Sequence, residues 1–216
     1  MSVAVTADIV GSRRLEDRAA AQRIIDDAVL RVERDFPTAE RPLRPTVGDE
    51  LQGVYPTVHA AMSGLLLLRL ALPDGIECRY GIGVGELRDV PSRVGALAEG
   101  PGWWAARAAI DIVHARQARS VRGARTWIVA AEEADDSGVA LANAYLLARD
   151  QLVGDMTERT RRLVYGRLLG QTQTQLARAE GITQSAVSQA LATAGAGAVI
   201  EGFAQLQIGA PPGHRD

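Results

Sequence analysis

Apolar residues change their spacing several times along the chain, and each change marks an element. Residues 3–10 form a short apolar run rich in β-branched side chains, the pattern of a buried strand. Ala21, Ile24, Ile25, Ala28, Val29, Val32 and Phe36 then recur at helical spacing, with Arg and Asp on the opposite face. After a loop over 37–42, residues 44–47 and 51–55 flank Gly48-Asp49-Glu50 and predict a hairpin. Pro56 and Thr57 open a second helix that turns Val58, Ala61, Met62, Leu65, Leu66 and Leu72 inward, and Pro73-Asp74-Gly75 predicts a turn. Residues 76–87 alternate and carry Gly81, Gly83 and Gly85, so a strand is expected there with other backbone close against it. A third helix over 102–117 and a last strand over 126–130 follow.

The order β-α-β-β-α-β-α-β predicts an α+β fold of the ferredoxin-like kind, an antiparallel sheet with the long helices on one face. Glu132-Glu133-Ala134-Asp135-Asp136 is an acidic boundary, and from Val139 onward the pattern is helical. The expected organisation is a first domain over 1–131, an all-α domain over 132–208, and a flexible tail over 209–216 that opens on Gly-Ala-Pro-Pro-Gly.

Composition narrows the chemistry. A formal net charge of −2 gives no overall basic field, so any attraction to nucleic acid must be local. Every basic residue is Arg, which removes Lys as a nucleophile or Schiff base. Cys78 is alone and His59, His114 and His214 are scattered, so neither a thiolate zinc site nor a Ser-His-Asp triad is signalled. No secretory pattern opens the chain and no run of 18 apolar residues occurs, so a cytoplasmic protein without a membrane partner is expected.

Two stretches carry candidate chemistry near the start. Asp8 ends an apolar strand, where an unpaired carboxylate is costly, and Asp49 sits in the hairpin that follows. Two carboxylates brought together repel unless a cation lies between them, and Mg²⁺ (or Mn²⁺) suits such a pair because water and phosphate complete its octahedron. Gly11, Ser12 and Arg13, just before a helix, are candidate phosphate ligands through backbone N–H groups and the guanidinium. Each aspartate alone also has a plain reading, as a loop cap or a turn residue.

These stretches resemble class III nucleotidyl cyclases. Asp8-Ile9-Val10-Gly11-Ser12 resembles their metal-binding strand and triphosphate loop, and Val47-Gly48-Asp49 their second metal aspartate. Arg79-Tyr80-Gly81-Ile82-Gly83-Val84-Gly85-Glu86 resembles the next strand, and Gly102-Trp103-Trp104-Ala105-Ala106-Arg107 the helix with an Ala-Ala-Arg signature. The resemblance implies metal ligation by Asp8, the Ile9 backbone and Asp49, and a catalytic, charge-stabilising role for Arg107. It also departs from that family. The purine-reading Lys is replaced by Pro45 and the transition-state Asn by Trp103, so binding is favoured over cyclisation.

A second constellation lies at 173–191. Ala177 is small where two helices would cross, Gly181 allows a turn, and Ile182, Val187 and Leu191 supply a shared core. This is helix-turn-helix logic. Thr183, Gln184, Ser185, Ser188 and Gln189 would face DNA, with Arg161, Arg162 and Arg178 as phosphate contacts. A hairpin used for packing or dimerisation is the alternative.

Taken together, Ala7-Asp8-Ile9-Val10-Gly11-Ser12-Arg13, Gly48-Asp49-Glu50-Leu51-Gln52 and Gln184-Ser185-Ala186-Val187-Ser188 resemble the SatD family over nearly the whole chain. The expected function is a homodimeric DNA-binding regulator whose first domain binds Mg²⁺ with a nucleotide or other phosphorylated ligand. A phosphoryl-transfer enzyme with an accessory helix pair, and a non-catalytic interaction protein, are the alternatives.

Overall fold

A computed structural model describes residues 1–12, 17–46, 49–92 and 95–208. Its sheet is five-stranded: β1 (Val3–Ile9) lies at the centre between β3 (Glu50–Tyr55) and β4 (Cys78–Val84), with β2 (Arg41–Pro45) and β7 (Thr126–Ala130) at the edges. The pairs β1–β3, β1–β4 and β2–β3 are antiparallel, the arrangement the split β-α-β order predicts. β7 departs from it. It joins β4 in parallel after a helical crossover.

The helices occupy both faces of the sheet, not one. α1 (Arg18–Asp35) and α2 (Val58–Ala71) cover the face carrying Val3, Val5, Ala7, Tyr80 and Ile82. α3 (Pro101–Arg119) lies on the other face, where Ala4 and Val54 meet Trp103 and Ala106. The reason is written in β4. A Cβ on Gly83 would lie 1.9 Å from the Gly102 carbonyl oxygen, and one on Gly81 would lie 2.1 Å from that of Ala106. Only bare backbone lets α3 sit so close. Residues 85–99 also differ from expectation. The strand ends at Val84, and a separate hairpin of β5 (Arg88–Ser92) and β6 (Gly95–Glu99) follows.

After β7 the chain forms α4 (Val139–Gly154), α5 (Glu158–Leu168), α6 (Gln173–Glu180), α7 (Gln184–Thr193) and α8 (Ala196–Ile208). One apolar core runs across the acidic stretch at 132–136: Leu146, Leu163, Val164, Val199 and Phe203 are buried in the same cluster as Ile25, Leu65 and Tyr80. Tyr165 Oη donates to Asp35 Oδ2 at 2.9 Å, and the rings of Phe36 and Phe203 lie 5.4 Å apart, so α5 and α8 are fastened to α1 and the loop after it. No helix of the described residues is long and apolar enough to cross a membrane.

Candidate functional site

Strand register brings three charged residues side by side. Asp8 is opposite Glu50 on β3 and opposite Arg79 on β4, so all three share the face that α3 covers. Asp8 is at the last turn of the pleat before the strand ends. Its carboxylate accepts from Arg79 Nε at 2.9 Å and Nη2 at 2.8 Å, a two-pronged pair, and Arg79 Nη1 also donates to Gln117 Oε1 at 3.1 Å. Glu50 is taken by Arg107 of α3 and by Gln52 Nε2 at 2.9 Å.

Beyond Asp8 the chain turns at Gly11, whose φ of +69° is the left-handed region that glycine enters without strain. Val10 N–H donates to the Glu77 carbonyl at 2.9 Å and holds the turn against the start of β4, and Ser12 is buried behind it. The next residues, including Arg13, lie outside the described residues, as do Val47 and Gly48 of the hairpin.

These elements enclose an open cavity of about 930 Å³. Asp8, Ile9, Gly11, Ser12, Asp49 and Arg107 all border it, so the structure gathers the described members of the metal and phosphate sets in one place. Asp49 makes no hydrogen bond or ion pair among the described residues. Arg18, Arg79, Asp111, His114 and Gln117 also border the cavity, and sequence reasoning did not pick them out as site residues. A signal for part of this existed: Arg107, Asp111 and His114 follow helical i, i+4, i+7 spacing, a polar stripe on a helix whose other side buries Ala106, Ala109, Ile110 and Val113. Arg79 gave no such signal, because only the register of β1 on β4 reveals that it faces Asp8.

A divalent cation fits this donor set in part. Asp8, Ile9 and Asp49 border one cavity, with Asp111 as a further carboxylate on its α3 side, but both Asp8 oxygens are engaged by a guanidinium. Among the described residues no cluster of three or more His, Cys, Asp or Glu side chains is arranged to hold a metal ion.

Trp103 and Trp104 have opposite fates. Trp103 packs on Ala4, Val54 and Ala106, whereas Trp104 is 63% exposed. Pro45 ends β2.

Toward the C-terminus, Thr172 and Gln175 form a reciprocal cap on α6, Gly181 ends it with φ +66°, and Thr183 caps α7 by accepting from Ala186 N–H at 3.1 Å. Leu176, Ala177, Val187 and Leu191 are buried. Ser185, Ser188, Gln189 and Arg178 are exposed, and Gln184 Nε2 donates to Gln173 Oε1 at 2.5 Å. Arg161 and Arg162 do not join a surface patch. Arg161 donates to the carbonyls of Met156 and Leu72 and to Asp74, and Arg162 bridges Glu158 and Glu180. Buried helix ends and nearby carboxylates claim both guanidiniums first.

Residues 2–200 match the SatD family, and the chain belongs to that family. No curated protein matches the sequence. Among solved structures it is similar to a bacterial light-regulated adenylyl cyclase, at 12% identity and a TM-score of 0.45 over 66% of this chain and 79% of that one. It is also similar to the adenylyl cyclase CyaB from P. aeruginosa, at 14% identity and a TM-score of 0.37 over 49% and 68% of the two chains. For the guanylyl cyclase Cya2 the values are 13%, 0.39, 51% and 69%.

Proposed function

We propose that this protein is a ligand-responsive regulator that binds a nucleotide or other phosphorylated ligand, together with a divalent cation, in the cavity bordered by the end of β1, Arg79 of β4 and α3. The observation that carries the reading is the convergence of Asp8, Ile9, Gly11, Ser12, Asp49 and Arg107 on that one space. Asp8, Asp49 and the Ile9 carbonyl would hold the Mg²⁺ or Mn²⁺, which supplies positive charge between the carboxylates and a phosphate. Gly11 and Ser12 would offer N–H donors, and Arg18, Arg79 and Arg107 would neutralise phosphate charge. A phosphate oxygen competes with Asp8 for Arg79. Ligand and cation therefore favour each other, because each takes one partner of the pair from the other.

The output side of the proposal is DNA binding by α6 and α7, with Gln184, Ser185, Ser188 and Gln189 reading bases and Arg178 contacting a phosphate, in a homodimer. The capped helix pair joined by a left-handed glycine supports it. Full-length protein with a nucleotide and Mg²⁺ at about 100 times the dissociation constant should gain roughly 2.7 kcal/mol of stability. In a selection from random duplexes, an enriched sequence should bind wild type and fail to bind Gln184→Ala/Gln189→Ala. Equal binding by both would remove α7 as the reading helix.

Phosphoryl transfer is the second reading, and one observation favours it: Arg107 borders the same cavity as both aspartates. Product formed from a nucleoside triphosphate by wild type but not by Asp49→Ala would establish it.

A further inference from the structure

Two glutamines 11 residues apart meet where the capped helices begin. Gln173 is the first residue of α6 and Gln184 the first of α7. Each follows a threonine whose hydroxyl closes the first turn: Thr172 accepts from Gln175 N–H at 3.2 Å and Thr183 from Ala186 N–H at 3.1 Å. Across the Gly181 turn, Ile182 N–H donates to the Ala177 carbonyl at 3.0 Å, and Leu176, Ala177, Val187 and Leu191 are buried. Backbone and core therefore fix how the two first turns face each other. Between them Gln184 Nε2 donates to Gln173 Oε1 at 2.5 Å. Gln173 is half-buried and Gln184 exposed, so α6 supplies the anchored side chain and α7 the presented one.

This bond limits what Gln184 can offer. A glutamine amide has two N–H donors on Nε2 and an acceptor at Oε1. With one donor spent on Gln173, one N–H and the carbonyl oxygen remain. The major-groove edge of adenine presents the N6 donor and the N7 acceptor, which match that remainder; guanine presents two acceptors, O6 and N7, and needs two donors. A free glutamine could turn both N–H groups toward guanine. The fastened one has a single N–H left. No other proposed base reader is held from α6. Thr183 and Ser185 bond to each other at 2.9 Å, and Ser188 and Gln189 have no side-chain partner among the described residues.

We infer that Gln173 is a positioning residue for DNA recognition: it orders the Gln184 amide and restricts it to adenine over guanine at one base position. That role rests on α7 being the reading helix of the proposed regulator. Gln173 acts through Gln184 and not by touching a base.

The test starts from a duplex enriched by the full-length wild-type protein. Each A·T pair is replaced in turn by G·C, and binding is measured at fixed salt. Wild type should lose about tenfold in affinity at the position read by Gln184, the loss of one two-pronged base contact. Gln184→Ala identifies that position, since only there should the penalty vanish. Gln173→Ala should shrink the penalty to about twofold, leave those at other positions unchanged, and weaken the parent duplex about threefold, the cost of ordering a freed side chain. Gln173→Glu keeps an acceptor for Gln184 Nε2. It should retain the adenine preference and weaken all duplexes alike through its charge. A hydrogen bond that only packs α6 on α7 would shift Tm in Gln173→Ala and spare the ratio of affinities. An unchanged preference at that position, or an equal loss at every position, would overturn the inference and leave α7 as the reading helix. Failure of folded wild type to enrich any duplex would instead remove the DNA reading, and the role of Gln173 with it.

Discussion

Arg79 grips both carboxylate oxygens of Asp8, with Nε 2.9 Å from Oδ1 and Nη2 2.8 Å from Oδ2. The aspartate at the end of the central strand is therefore neutralised by a residue of the neighbouring strand, and a cation has to displace or share that partner. Replacing Arg79 by Gln separates the two roles. Mn²⁺ affinity without ligand should rise about tenfold, because the carboxylate loses its competing cation. Nucleotide affinity at saturating Mn²⁺ should fall about tenfold with the lost guanidinium. Calorimetric titrations of the two ligands measure both; unchanged Mn²⁺ affinity would show that Asp8 is no part of a cation site.

Glu50 holds Arg107 in a similar way, on a more exposed part of the cavity rim. Glu50→Gln should release the guanidinium toward an incoming phosphate and tighten nucleotide binding about threefold, the modest size reflecting an exposed pair. Weaker binding would mean that the pair positions Arg107 for the ligand rather than withholding it.

The close approach of α3 to β4 depends on missing side chains. In Gly83→Ala the new Cβ would meet the Gly102 carbonyl oxygen at 1.9 Å and the Ala106 nitrogen at 2.4 Å, both backbone atoms that cannot rotate away. A loss of about 3 kcal/mol or more is expected in chemical denaturation, at the upper end of overpacking penalties. Gly75→Ala, in open space but at φ +86°, should cost about 1 kcal/mol through backbone strain alone.

Much of this arrangement was legible in the sequence, for reasons that differ by element. The strand at 3–10 and the helix starting near Arg18 declare themselves by period, and the hairpin by its turn residues. The β4 glycines signalled a close neighbour, but not which one, because periodicity says nothing about the face on which a distant helix lands. The pairing of Asp8 with Arg79 is a matter of register, which local patterns do not encode. Arg161 and Arg162 looked like a basic patch for a related reason: beside the local Met156 and Glu158, their partners are Leu72, Asp74 and Glu180, distant along the chain and invisible in the sequence around them.

The network at Asp150 sets an acid limit on stability. Burial alone would raise its carboxyl, but Arg149, Arg69 and the hydrogen bonds it accepts bring it below the ordinary aspartate value. A depressed folded-state value means that the unfolded chain takes up the proton first as pH falls. The contribution of Asp150 is therefore complete above about pH 4 and lost progressively below it. Urea midpoints should fall through this range in wild type. Asp150→Asn should lose about 3–5 kcal/mol at pH 7, where two buried guanidiniums and two N–H groups lose a charged partner, with the difference from wild type shrinking in acid.

The most direct measurement is a calorimetric titration of nucleoside triphosphates with Mg²⁺ into the full-length protein, repeated with Asp49→Asn. Asp49 borders the cavity without a hydrogen bond or ion pair among the described residues, so its amide variant removes the carboxylate proposed for the cation and breaks no such contact among those residues. Saturable binding by wild type, weakened at least about tenfold in the variant, is the expected result. Binding of equal strength in both, or none by a folded wild-type protein, would contradict the proposed metal–phosphate site.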